Sequence, residues 1–472
     1  MSDIDYFSEK QNPSSWYHLA DLSTVKKWLG SDMVCPACGR THSISTKMME
    51  ESDNMAGRIA DYLPELGLSG NCVVVMDENT KRAAGNKLMS GLEKYNPRAV
   101  TFARDDLHAD EQALGTLLMA LGEKPDFLVS CGSGTITDIT RYNAYMTDLP
   151  FVSYATAASV DGFASGSTPL LVNGFKTTCP GKAPVGIFYD AGVLAGAPDS
   201  MTAAGFGDVL AKIIALIDWR LAYVAEDEPY CPLIAAIVDK AVEQCLDLAD
   251  DLAIGNDKNR AQACISLMDT LSLTGIAMQM MGTSRPASGS DHHISHLLEI
   301  NDIRNHKKGS LHGDKVGIGT LIGMSMYLKL FGNGDIPEQR PHLAADLWEQ
   351  EVRRVYGPLA DQAIAKNTPY PPRGEEWERQ KKQISHAMDL YGYKYVDRFR
   401  TLLPYARDRI TAMGGPVRPD QLGYTRQETY DAIAYGKEVR PKFTTLRLAE
   451  RFGWLYDLAE EIANGLPEGK IY

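Results

Sequence analysis

The chain is expected to fold as an N-terminal α/β domain, residues 1–198, followed by an all-helical domain, residues 199–472. Three observations predict this. Short apolar runs alternate with helical patterns through the first part of the chain, the signature of a parallel sheet covered by helices. Strand signals then stop after "VGIFYDAGVLAGAPDS", Val185 to Ser200. Beyond that point "FGDVLAKIIALIDWRLAYVAE" and "LIAAIVDKAVEQCLDLADDLA" repeat apolar residues at spacings of three and four, the period of an amphipathic helix. With 472 residues, 44% of them hydrophobic, there is material for two cores, and the join falls near Pro198.

Taken in order, the chain opens on a lead of about thirty residues with no basic-then-apolar signal pattern. "CPACGRTH", Cys35 to His42, follows: a C-x-x-C and a histidine, three residues of the zinc-ligand type. A structural zinc takes four ligands, and neither a second C-x-x-C nor a nearby histidine completes the set, so the expectation is a turn with two reduced thiols. The eight cysteines are dispersed along a long chain, which fits reduced thiols and a cytoplasmic protein. "CVVVMDENT", "AVTFA", "FLVSCGSGT" and "FVSYATA", beginning at Cys72, Ala99, Phe127 and Phe151, each read as a buried strand entering a polar or small-residue turn. Asn79 to Tyr95 and Glu111 to Leu121 read as intervening helices.

Within this frame several residues have chemistry to offer. Gly132, Ser133 and Gly134 lie between a strand and a helix, where small residues let the backbone approach a pyrophosphate and a helix N-terminus favours its charge. Asp77 ends an earlier strand, where an acid accepts hydrogen bonds from a ribose diol or caps a helix. "ATAASVDGFASGSTPLLVNGFKTT", Ala155 to Thr178, reads as a small-residue loop whose charged members are Asp161 and Lys176. Asp208 and Lys212 stand four apart on a helix, as an exposed ion pair would. In "SDHHISHLLEI" His292 and His296 share one helix face and His293 points roughly 100° away. Asp208, His292 and His312 together offer one carboxylate and two imidazoles, the set of a catalytic divalent metal with an open position. A net charge of −13 argues against nucleic-acid and anionic membrane partners, and nowhere do eighteen apolar residues run uninterrupted. A small-molecule ligand fits better.

In their order and spacing, "CGSGTITD", "ATAASVDGFAS", "GFGDVLAK", "PASGSDHHISH" and "LHGDKVGIGTL" resemble the sn-glycerol-1-phosphate dehydrogenases, above all their bacterial branch, within the iron-containing alcohol dehydrogenase and dehydroquinate synthase superfamily. The likeness runs from Cys35 through His312, with a weaker echo at Val439 to Gly453. It implies a Rossmann-like nucleotide-binding domain and a helical metal-binding domain, as in dehydroquinate synthase. It further implies NAD(H) or NADP(H), one divalent metal per subunit (Zn2+ or Ni2+), and reversible reduction of dihydroxyacetone phosphate to sn-glycerol 1-phosphate. A homodimer is the matching assembly, without membrane insertion. Carried over by position, Asp208, His292 and His312 are the metal ligands and His296 a nearby histidine that helps move a proton. Asp161 stands at the substrate and Asp77 at the adenosine ribose. Gly132, Ser133, Gly134 and Thr135, with Asp138, form the pyrophosphate loop, and Thr156 and Ser159 contact the cofactor. Lys176 and Lys212 are candidates to meet the substrate phosphate. The chain departs from the pattern in Asp291, where glutamate is more usual, in the additional His293, in its N-terminal lead of about thirty residues and in a longer helical domain than the compact members have. A polyol such as glycerol as substrate, a dehydroquinate synthase-type cyclase and a noncatalytic homologue are the alternative readings.

Overall fold

The computed structural model describes residues 16–465, apart from 105, 123, 174, 257, 306, 308, 334–335, 369–374 and 388–392. The chain divides into two compact units: Trp16–Val209 with Leu233–Ser284, and Leu210–Pro232 with the chain from Arg285 onward.

The first unit is built on a six-stranded parallel sheet. Its strands are β3 (Met48–Glu51), β4 (Cys72–Asp77), β5 (Arg98–Phe102), β6 (Phe127–Gly132), β7 (Phe151–Ala155) and β10 (Gly186–Tyr189), in the order β3-β10-β7-β6-β4-β5. Side chains alternate across the sheet, as strand geometry requires. Val74 and Met76 of β4 join Val129, Tyr154 and Phe188 on one face, against Met55 and Ile59 of helix α1 (Met55–Tyr62) and its C-cap Leu63. Val73 and Val75 join Leu128 and Phe151 on the other, against Leu117 of α2 (Glu111–Leu121) and Ile136 and Ile139 of α3 (Gly134–Thr147). Burial on both faces is why these strands read as continuous apolar runs.

Two hairpins accompany the sheet. β1 (Asp32–Val34) pairs with β2 (Thr41–Ser43), and β8 (Ser167–Val172) with β9 (Phe175–Pro180), both antiparallel. The second occupies the stretch expected to be loop. Its strands are rich in serine, threonine and proline, so no apolar run announces them, although β8 alternates exposed and buried positions over its first four residues. The helix expected over Asn79–Tyr95 is broken into short pieces, with a π turn at Lys81–Gly85.

After β10 the described residues are helical, as expected. Helix α4 (Asp199–Glu226) begins in the first unit and ends in the second; α5 (Pro232–Asp247) and α6 (Arg260–Met281) belong to the first, Pro232 apart. The second unit holds α7 (Ser290–Arg304), α8 (His312–Phe331) and helices at Ala345–Tyr356, Tyr393–Ala412, Arg426–Tyr435 and Leu455–Gly465. Helices α4 and α6 are long and apolar enough to cross a membrane by composition, but they bury 83% and 72% of those windows, which is the behaviour of core helices.

Candidate functional site

In the α/β unit, functional side chains gather where β6 and β7 end. Gly132 closes β6 because a Cβ there would lie 2.6 Å from Cβ of Ile136, one turn into α3. Ser133 is the N-cap of α3, yet its hydroxyl bonds Ser159 Oγ at 2.5 Å instead of capping the helix. The amides of Gly134 and Thr135 are thereby left uncapped by that side chain, which suits an anion. Thr156 N–H donates to the Gly132 carbonyl (3.1 Å), tying the loop after β7 to the loop after β6. Asp138 pairs with Arg141 at 2.5 Å, and the buried guanidinium also donates to the carbonyl of Phe163 (3.1 Å). Burial pulls Arg141 below its usual range and Asp138 opposes that shift.

Asp77 does cap a helical turn. Its Oδ1 accepts from the N–H groups of Asn79 and Thr80, both at 2.8 Å, and Thr80 Oγ1 accepts from Asp77 N–H at 3.0 Å. Both of these bonds to the carboxylate land on Oδ1.

Asp161 stands at the end of the loop after β7, and its N–H donates to Asp208 Oδ2 at 2.9 Å. Carboxylate oxygens of the two aspartates lie within 4.8 Å of each other, and Asp208 is fully buried. Two carboxylates this close repel when both are ionised, and a cation relieves the repulsion. Two glycines fix the loop. A Cβ on Gly205 of α4 would fall 1.9 Å from the Ala158 carbonyl oxygen, and one on Gly275 of α6 would fall 2.8 Å from Ala164 Cβ. The helix backbones therefore touch the loop directly.

In the helical unit, α7 and α8 bring three imidazoles together. Ring centroids of His292 and His312 are 5.4 Å apart, those of His292 and His296 5.9 Å, and those of His296 and His312 6.0 Å. Gly319 of α8 permits this, since a Cβ there would sit 2.5 Å from the Asp291 carbonyl oxygen on α7. His292 Nδ1 bonds Asp291 Oδ2, and His312 Nδ1 bonds Glu299 Oε1 at 2.8 Å. Each Nδ1 is thus held by a carboxylate, a partnership also found around metal-ligating histidines. Glu299 and Asp302 flank the Lys315 ammonium, at 3.9 and 3.3 Å, and Tyr424 Oη donates to Asp302 at 2.5 Å. The start of α7 is pinned by Asp218, which accepts from Ser290 N–H (2.5 Å), Thr445 N–H (2.6 Å) and Thr445 Oγ1 (2.7 Å). Burial pushes Asp218 up to about 6, against those bonds.

His293 is buried away from this group, and among the described residues neither ring nitrogen has a hydrogen-bond partner. Burial, then the charges of Arg440, Lys442, Arg447 and Arg285, holds it well below the usual histidine range, so it is neutral. Asp208 and Lys212 are both completely buried, and the Lys212 ammonium donates to the Ala287 carbonyl at 3.3 Å, so they are not an exposed ion pair. Lys176 pairs with Leu171 in the β8–β9 hairpin, and its side chain lies outside the described residues. Sequence reasoning missed Glu299, Asp218 and the purpose of Asp291. A carboxylate next to one candidate ligand, His292, and another two turns further along α7, Glu299, were the available signals.

The chain matches the family model of the iron-containing alcohol dehydrogenases over residues 51–198. It is 32% identical to the glycerol-1-phosphate dehydrogenase [NAD(P)+] of Bacillus licheniformis, over 92% of this chain and 95% of that protein. It is 39% identical to the protein of the same name from Bacillus velezensis, over 80% and 84%. Among solved structures it resembles glycerol dehydrogenase from Schizosaccharomyces pombe (TM-score 0.56, 15% identity, 90% of this chain and 91% of that one). It also resembles maleylacetate reductase from a Rhizobium species (TM-score 0.54, 17% identity, 89% and 97%). At those identities the structural likeness speaks for the fold.

Proposed function

Because the chain belongs to the glycerol-1-phosphate dehydrogenase family, among the iron-containing alcohol dehydrogenases, we propose that it reversibly reduces dihydroxyacetone phosphate to sn-glycerol 1-phosphate with NADH or NADPH. The observation that carries this reading is the pair of imidazoles whose Nδ1 atoms are held by Asp291 and Glu299. Asp208, His292 and His312 would hold one divalent metal, and zinc and nickel both suit two imidazoles and a carboxylate. When bound, the metal would supply a Lewis acid for the ketone oxygen, and the nicotinamide cofactor the hydride.

The chain's own residues do the rest. The uncapped amides of Gly134 and Thr135, beside Gly132 and Ser133, receive the pyrophosphate, and Asp138 steadies the loop through Arg141. Asp77 accepts from the ribose diol through its second oxygen, while Thr156 and Ser159 line the cofactor. Asp161 orients a substrate hydroxyl. His296 passes a proton toward the substrate oxygen, the acid–base role an imidazole commonly takes. Lys212 and Lys176 meet the substrate phosphate. The subunits pair as a homodimer in the cytoplasm.

The test is the initial rate of NADH oxidation by metal-free protein reloaded with zinc or nickel, comparing dihydroxyacetone phosphate with dihydroxyacetone. A rate that needs both metal and phosphate, with sn-glycerol 1-phosphate as product, supports the reading. Faster turnover of the unphosphorylated ketone overturns it in favour of a polyol dehydrogenase.

A further inference from the structure

We propose that Cys35, Cys38 and His42 bind a structural zinc ion, separate from the catalytic metal. Against the sequence expectation of a simple turn with two thiols, the ligand atoms of these three residues lie within 4.8 Å of one another. The hairpin that carries them has three residues in each strand, β1 and β2, with Met33 opposite His42. A hairpin this short has little to hold it together. The turn is wound around the first cysteine: Cys35 N–H donates to the Arg40 carbonyl and Gly39 N–H to the Cys35 carbonyl, both at 2.8 Å. Gly39 has φ of 72°, and a Cβ there would meet nothing within 4 Å, so only backbone conformation calls for glycine.

Two further observations point to a metal. Cys38 Sγ and His42 Nε2 are 3.4 Å apart, and two ligands of a tetrahedral zinc, at about 2.3 Å for sulfur and 2.0–2.1 Å for nitrogen, stand roughly 3.6 Å apart. His42 Nδ1 lies 2.7 Å from the Met280 carbonyl, which can only accept. The proton therefore sits on Nδ1 and the lone pair of Nε2 faces the sulfurs, which is the tautomer a zinc ligand needs. Cys35 and His42 are 1% and 3% exposed, while Cys38 is part-exposed and leaves a path of entry. A closed structural site takes four ligands, and Cys35, Cys38 and His42 supply three of them.

The experiment is zinc content of the full chain by plasma mass spectrometry, in His312→Ala and in the Cys38→Ser/His312→Ala double variant. The difference between the two is read, so the result stands whether or not His312 is itself a ligand. A loss of one zinc per chain in the double variant supports the site. Equal zinc in both, or none in His312→Ala, overturns it. Should the double variant not fold, mercurial titration of folded His312→Ala decides instead. Zinc released in step with thiol modification supports the proposal, and zinc edge X-ray absorption showing only nitrogen and oxygen scatterers overturns it.

Discussion

Gly205→Ala tests how the carboxylate pair is positioned. Gly205 and Ala158 each stand three residues before one of the two aspartates, Asp208 on α4 and Asp161 in the loop after β7. A Cβ on Gly205 would lie 1.9 Å from the Ala158 carbonyl oxygen and 3.1 Å from Ser159 Cα. Restoring an ordinary contact of 3.4 Å demands a displacement of about 1.5 Å, and both partners are backbone, so no side chain can swing aside. Overpacking of this kind costs about 1–3 kcal/mol, and in a unit of this size each kcal/mol lowers Tm by roughly 2–4 °C. Misplacing a reacting constellation by about 1 Å costs on the order of a hundredfold in rate. The bond from Asp161 N–H to Asp208, now 2.9 Å, is the first to lengthen. The assay pairs calorimetry with the turnover of NADH oxidation. Gly115→Ala is the control, because Gly115 lies on α2 with nothing within 4 Å of its Cβ position, and alanine there should stabilise by roughly 0.5–1 kcal/mol. Unchanged Tm and turnover in Gly205→Ala, with the control behaving as expected, would refute the reasoning.

Glu299→Gln removes the carboxylate behind His312, and metal affinity should fall about 10- to 100-fold with little change in Tm; competition with a coloured chelator measures it, and wild-type affinity would remove Glu299 from its positioning role. His292→Ala should lose bound metal and activity, whereas His293→Ala should keep metal near the wild-type content, both read by metal analysis of purified protein. His293 also governs acid stability. Its folded pKa is depressed, so below about pH 6.5 the unfolded chain takes up a proton that the folded chain refuses, and stability falls by up to about 1.4 kcal/mol per pH unit. Asp218, raised to about 6, acts in the opposite sense between its unfolded value and that pH, so the test is the difference in urea-unfolding slopes between wild type and His293→Ala. Equal slopes would count against a neutral His293. Asp218→Asn leaves one oxygen where three donors converge, and should destabilise by about 1–3 kcal/mol in the same urea assay; a loss under a few tenths would deny it the role of pinning α7.

The sheet was legible because four of its strands are buried on both faces and so spell apolar runs, Cys72 to Asp77 most plainly. β8 and β9 were not, since their serine, threonine and proline residues look like loop until a partner strand is present. Helical periodicity located α5 and α6 but carries no address, and these helices group with the sheet rather than with α7 and α8. At the site, the histidines of α7 can be placed on helix faces by counting, which turns His293 away from His292 and His296. What counting cannot supply is the acid behind each imidazole: Glu299 reaches His312 only because the chain turns between α7 and α8. Asp77 had two readings in sequence, a ribose acceptor and a helix cap, and the cap is the one visible in the hydrogen bonds to Asn79 and Thr80.

The order in which the α/β unit takes its residues from the chain has a consequence for synthesis. Leu210–Pro232 interrupts that unit, which resumes at Leu233 and ends at Ser284. A ribosome that has delivered all ten strands has therefore not yet delivered α5 and α6, and at roughly 5–20 residues per second they follow several seconds later. During that interval the Asp161 loop lacks the Gly275 contact that holds it from one side. A fragment cut after the last strand is frozen in this unfinished state, so expression of the unit by itself has to carry the chain through Ser284.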